Sequence, residues 1–116
     1  MNTIDYNRTL AINYATKWAL SRNPKYYNFD SVGGDCTNFI SQCIFAGSKK
    51  MNYSHKNGWY YNSGYDKSPS WSGVEYLYNF LTTNKGLGPR GREISQNLIL
   101  PRRYYSTIFF RKFLWT

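Results

Sequence analysis

The sequence predicts an α+β domain that is helical through its N-terminal half and short of sheet after it. Three observations carry that prediction. Residues 6–22 repeat apolar side chains at helical spacing, and the turn Gly33-Gly34-Asp35-Cys36 opens a second apolar-faced run. Ser72-x-x-Glu75 then heads a third as a capping box. Strand composition is confined to the end of the chain: Ser95 to Pro101 leads toward a first strand, and Tyr104 to Trp115 is rich in Tyr, Thr, Ile and Phe.

In the first helix, Tyr6, Leu10, Tyr14 and Trp18 share one side, thinned by Ala11, Ala15 and Ala19. Arg8, Asn13, Lys17 and Arg22 take the wet side. Asp5 or Asn7 caps it, and Asn23-Pro24 ends it, because the residue before proline avoids helical geometry. This helix is expected to pack on the second, with Trp18 as a core residue. The loop 24–34 carries Tyr26, Tyr27 and Phe29, too aromatic to be merely solvated, and Asp30 is expected to stabilise a turn. The second helix runs from Asp35, its cap, to Ala46, with Phe39, Ile40 and Cys43 inward and Gly47 as its stop. Residues 51–70 show no clear regular element. In the third helix Val74, Leu77, Tyr78 and Leu81 form the stripe, flanked by Phe80. Trp71 lies just outside its cap and Gly86 ends it.

Chemistry concentrates at Cys36. A thiol in the first turn of a helix meets unpaired N–H groups and the positive end of the dipole, which favour the thiolate. That is how a cysteine hydrolase presents its nucleophile, although a buried cysteine that only packs carries the same local signature. Cys36 and Cys43 are too far apart along one helix to bridge. One histidine and no Cys-x-x-Cys leave metal chelation unsupported, and no cofactor is expected. His55 sits in a polar loop and is better read as a surface residue than as a catalytic base. Trp59, Tyr60 and Tyr61 are open to two readings, the wall of a groove for a peptide or glycan, or a lid plugging the core.

With 116 residues the chain suits one small domain, and 20% aromatic residues implies a core completed by large rings. The net charge of +9 suggests nucleic acid. Yet Arg102, Arg103, Arg111 and Lys112 supply four of those charges, and the others are scattered as solvated surface groups. No specific nucleic-acid site is therefore expected, the rival being a basic binder using Arg90, Arg92 and the tail. No stretch is long and apolar enough to span a bilayer. The N-terminus does not read as a signal peptide, so a cytoplasmic address is expected for the chain as it stands. Oligomeric state is not legible.

Taken together, Tyr6-Asn7-Arg8, Trp18-Ala19-Leu20-Ser21-Arg22-Asn23-Pro24, Gly34-Asp35-Cys36-Thr37-Asn38-Phe39-Ile40-Ser41-Gln42-Cys43 and Ala46-Gly47 make a specific pattern. It continues through Met51-Asn52-Tyr53, Gly58-Trp59-Tyr60-Tyr61, Ser70-Trp71 and Gly73-Val74-Glu75-Tyr76-Leu77. Over roughly residues 6–101 the sequence resembles the putative amidase domain family, a branch of the papain-like, NlpC/P60-related cysteine hydrolases. The resemblance implies the helical half of such a domain, Cys36 as nucleophile, and an amide or peptide bond, in cell-wall peptidoglycan, as target. Its candidate substrate groove comprises Asp35, Asn38, Trp59, Tyr60, Tyr61 and Trp71. It also implies a bacterial source, Gram-positive and often spore-forming, with intact relatives associated with cell wall or spore.

The resemblance stops at Pro101. Family members continue with a Gly-Asp strand, then strands that deliver a catalytic histidine and an orienting Asn or Asp. Here Arg102-Arg103-Tyr104-Tyr105-Ser106-Thr107-Ile108-Phe109 follows. Encoded as GGA GAT ATT ATT CAA CTA TCT TTT, the family-like Gly-Asp-Ile-Ile-Gln-Leu-Ser-Phe becomes Arg-Arg-Tyr-Tyr-Ser-Thr-Ile-Phe after one added base. Residues 102–116 thus read as an aberrant, frameshifted tail on a truncated domain, 1–101. Three helices without their covering sheet are expected to fold poorly, and without its histidine the chain is expected to be inactive. The alternative is a non-catalytic peptide- or glycan-binding module built on the aromatic loop.

Overall fold

The computed structural model describes residues 6–29, 35–93 and 113–115. The fold is mixed α and β. Among the described residues four helices, α1 (Arg8–Trp18), α2 (Cys36–Ser48), α3 (Pro69–Ser72) and α4 (Val74–Thr83), occur with short antiparallel strand pairs. Strand β1 (Tyr61–Ser63) pairs with β2 (Asp66–Lys67) across a tight turn, and β3 (Gly91–Glu93) pairs with β4 (Phe113–Trp115). Among the described residues no helix is long and apolar enough to cross a membrane.

The first helix is shorter than its apolar repeat. Asn7 caps it by accepting from the Leu10 N–H at 3.0 Å. The helix ends at Trp18, the last residue of the stripe, and Leu20 beyond it is fully exposed. Trp18 is itself only half-buried, with the Lys17 ammonium 5.1 Å over its ring, so it is a margin residue and not core. The expected packing on α2 is present. Tyr14 meets Phe39 with ring centroids 6.3 Å apart, and the Tyr14 hydroxyl donates to Gln42 Oε1.

Gly47 does not stop α2. The helix runs one residue further and closes on Lys49, whose left-handed backbone (φ 57°) lets its N–H reach the Phe45 carbonyl at 2.7 Å. Gly47 instead permits close approach. Its carbonyl accepts from the Asn7 N–H at 3.0 Å, and a Cβ there would lie 2.7 Å from the Asn7 carbonyl oxygen and 2.8 Å from the Tyr6 ring. Gly47→Ala therefore forces α1 off α2. The clash, about 1–3 kcal/mol, outweighs the helix-propensity gain of at most about 1 kcal/mol. A lowered urea midpoint at unchanged slope is the expected reading.

The expected capping box does not form. Ser68-Pro69 starts α3 as a separate turn, and Ser72 is its last residue. Gly73, extended, caps α4 instead. Trp71 thus lies inside a helix, not outside a cap. At the other end Asn84 terminates α4, not Gly86, and its amide fastens the following turn by donating to the Leu87 and Pro89 carbonyls, each at 2.9 Å. The buried stripe is Leu77, Phe80 and Leu81, whereas Val74 and Tyr78 are exposed.

Residues 51–70, expected to lack regular structure, form the cover of α2 together with Trp71. An isolated bridge between Asn52 and Trp59, with reciprocal hydrogen bonds of 2.8 and 2.7 Å, seats the Trp59 ring inward. The core then consists of Ile40 and Ile44 from α2, Trp59, Trp71, and the Leu77, Phe80 and Leu81 face of α4. Trp59 packs on Trp71 at 4.9 Å and stacks on Phe80 at 5.8 Å. Large rings on a loop and a single helical turn thus cover the Ile40 and Ile44 face of α2. The turn at Gly33-Gly34, Asp30, and the lead-in at Ser95 to Pro101 lie outside the described residues, as does all of the tail except β4.

Candidate functional site

Cys36 is the first residue of α2 and is exposed. The first N–H groups of such a helix have no intrahelical partner. Asp35 precedes it, but its carboxylate does not cap the helix. It holds the incoming chain instead. Oδ1 accepts from the Phe29 N–H at 3.0 Å and from Asn38 Nδ2 at 2.8 Å, while Oδ2 pairs with Arg22 at 2.5 Å. One carboxylate therefore ties the α1 exit, the aromatic loop and the start of α2 together.

Asn38 extends this network inward. It is fully buried, yet every bond it needs is made. Nδ2 donates to Asp35 and to the Tyr27 carbonyl at 3.1 Å, and Oδ1 accepts from the Trp71 indole at 2.8 Å. Ser41, one turn on, repeats the device by accepting from the Trp59 indole at 3.1 Å and donating to the Trp71 carbonyl at 2.8 Å. The polar residues of the Cys36 helix are thus the sockets into which both tryptophans plug.

Of the sequence-predicted groove residues, Asp35, Asn38 and Trp71 come together beside Cys36 as one hydrogen-bonded unit. Trp59 is in the core, the lid alternative, and Trp71 is buried beside it. Tyr61 is half-buried against Trp71 at 5.5 Å, its hydroxyl accepting from the Tyr27 N–H at 2.7 Å. Tyr60 lies elsewhere, on a groove of about 660 Å3 between residues 53–62 and α4. His55 borders that same groove, exposed, and Cys36 does not line it. Local periodicity assigned Arg22 to solvent and passed over Ser41. The available signal was the ladder Asp35, Asn38, Ser41, polar residues at helical spacing within an apolar run.

The two thiols are chemically unlike. Burial pushes Cys43 from the ordinary 9.0 up to about 12, so it is neutral and enclosed at any physiological pH. Alkylation by iodoacetamide at pH 8 is expected to modify Cys36 alone, with Cys43 reacting only after unfolding; mass spectrometry of peptides reads both. The same shift makes stability pH-dependent. The folded value is the raised one, so the contribution of Cys43 is full below pH 9 and is lost as pH rises from 9 through about 12. Tyr14, raised by burial from 10.0 to about 12, adds in the same direction.

The family model described as Putative amidase domain matches residues 5–107. Uncharacterized protein YhbB of Bacillus subtilis (strain 168) is 39% identical over 83 residues, which is 69% of this chain. The chain spans 25% of the length of that relative. No solved structure matches the chain.

Proposed function

The chain belongs to the Putative amidase domain family, and from that premise we propose that it carries the nucleophile of a papain-like, NlpC/P60-related cysteine amidase. The observation that supports this is the exposed Cys36 thiol at the mouth of α2, its backbone held by the bonds from Asp35 to Phe29, Asn38 and Arg22. An amide bond, in cell-wall peptidoglycan, is the proposed target. In the intact enzyme an imidazole takes the proton from Sγ and the Sγ–carbon bond forms at the amide carbonyl. N–H groups of the first turn of α2, that of Cys36 included, stabilise the oxyanion. The carbon–nitrogen bond then breaks as the imidazolium protonates the departing amine. Water attacks the thioester, releasing the carboxylate and restoring the thiol.

The chain's single histidine, His55, borders the groove that Cys36 does not line. This molecule is accordingly proposed to be inert toward amides although its thiol is accessible, with Arg102–Phe109 a frameshifted version of the family's next strand. The 116-residue chain and its Cys36→Ala form are expected to show equal, background release of amine from muropeptides. Turnover that depends on Cys36 would refute inertness and turn attention to His55. The DNA after codon 101 tests the frame: the +1 or −1 reading should encode a Gly-Asp strand and a histidine.

A further inference from the structure

We propose that the groove between residues 53–62 and α4 is a binding site for a neutral oligosaccharide. It is separate from the proposed thiol chemistry, since no residue of α2 lines it. Tyr53, Tyr60 and Tyr76 border it, and Tyr53 and Tyr76 are 60% and 62% exposed. Exposed ring faces gain most from a partner that is apolar on its flat side and polar at its edge, which describes a pyranose. The first plate is held in place. Tyr53 stacks on Tyr60 at 5.0 Å, its hydroxyl donates to Asn62 Oδ1 at 3.0 Å, and Asn62 Nδ2 in turn donates to Asp66 at 3.1 Å. Fixing the ring before the ligand arrives reduces the entropy lost on binding.

The polar groups at the edge are free to serve a ligand. Among the described residues, the side chains of His55, Asn57 and Asn79 and the Tyr60 and Tyr76 hydroxyls make no hydrogen bond. Amide and hydroxyl groups match sugar hydroxyls in both donor and acceptor character. Charge narrows the class further. On a chain of net charge +9, the described residues lining the groove include no Lys or Arg and one carboxylate, Asp66, which does not suit a nucleic acid or another polyanion. Among the described residues its lining includes no Leu, Ile or Val to seat the side chains of a peptide. Its volume of about 660 Å3 falls within the usual range for small-ligand sites, ~300–1,000 Å3.

Calorimetric titration of the full chain with an N-acetylglucosamine tetramer, and separately with cellotetraose, tests this. The acetamido sugar rests on the cell-wall reading above and the plain glucan does not, so binding of cellotetraose alone sustains the groove while counting against that reading. Binding is measured without turnover, and the state of Cys36 chemistry does not enter. Saturable binding of at least one sugar is expected, weakened about tenfold or more by Tyr53→Ala and by Tyr76→Ala. Tyr65→Ala, at a ring still more exposed (94%) and outside the groove, should leave it unchanged. Both groove rings are exposed, so their truncation spares the core. Absence of saturation with either sugar at millimolar concentration, or equal affinity in the tyrosine variants, overturns the proposal.

Discussion

Trp71→Ala is expected to cost about 3–5 kcal/mol, the usual range for removing a buried aromatic side chain. A domain of this size holds only about 5–15 kcal/mol in all, so the variant should melt tens of degrees lower or lose its cooperative transition. The size of the effect follows from what the ring touches. Trp71 is fully buried, packs on Trp59 at 4.9 Å and stacks on Tyr26 at 5.9 Å, and its indole N–H is bonded to Asn38. Its removal leaves a cavity between α2, α4 and the 51–63 segment at once. Trp71→Phe separates the terms: much of the ring survives, but Asn38 Oδ1 loses its donor. Circular dichroism melts and urea titrations of both variants provide the measurement, and a loss below about 1 kcal/mol for Trp71→Ala would contradict this core.

Asn38→Ala carries the second largest effect. It leaves the buried Trp71 indole N–H without an acceptor, at about 1–3 kcal/mol, and it releases both the Tyr27 carbonyl and one partner of Asp35. A total loss of about 2–4 kcal/mol is expected. The consequence reaches the thiol, because Asp35 then keeps only Phe29 and Arg22 to hold the chain entering α2. A double-mutant cycle of Asn38→Ala with Trp71→Phe should give a coupling of at least about 0.5 kcal/mol, since the two share one hydrogen bond. Additive losses would mean that the bond contributes nothing net. Iodoacetamide rates at Cys36, compared between wild type and Asn38→Ala, report whether the loosened entry changes the presentation of the sulfur.

The departures from sequence expectation share a cause. Gly47 looks like a helix stop and Ser72-x-x-Glu75 like a capping box because both are recognised over four or five residues. What decides Gly47 is far away in the chain, the Asn7 carbonyl and Tyr6 ring against it, whereas Ser72 is used up by the turn that Pro69 opens just before it. Trp59 is equally fit by sequence to wall a groove or to fill a core, and Trp71 reads as a groove residue at a helix entry. Their indole N–H groups settled the matter only when Ser41 and Asn38 came within 3.1 and 2.8 Å.

The sequence by itself determined that Cys36 opens a helix, that this helix buries one face, and that α1 packs against it, since helical periodicity and turn chemistry are local. Its run of motifs also determined the family. Only the tertiary structure decided what covers α2, which role Asp35 takes, and where His55 and the tyrosine groove stand relative to the thiol. Those depend in part on partners far apart in the chain, such as Arg22–Asp35 at 13 residues and Asn38–Trp71 at 33. No local pattern encodes which of several chemically equivalent partners a side chain will meet once the backbone has closed.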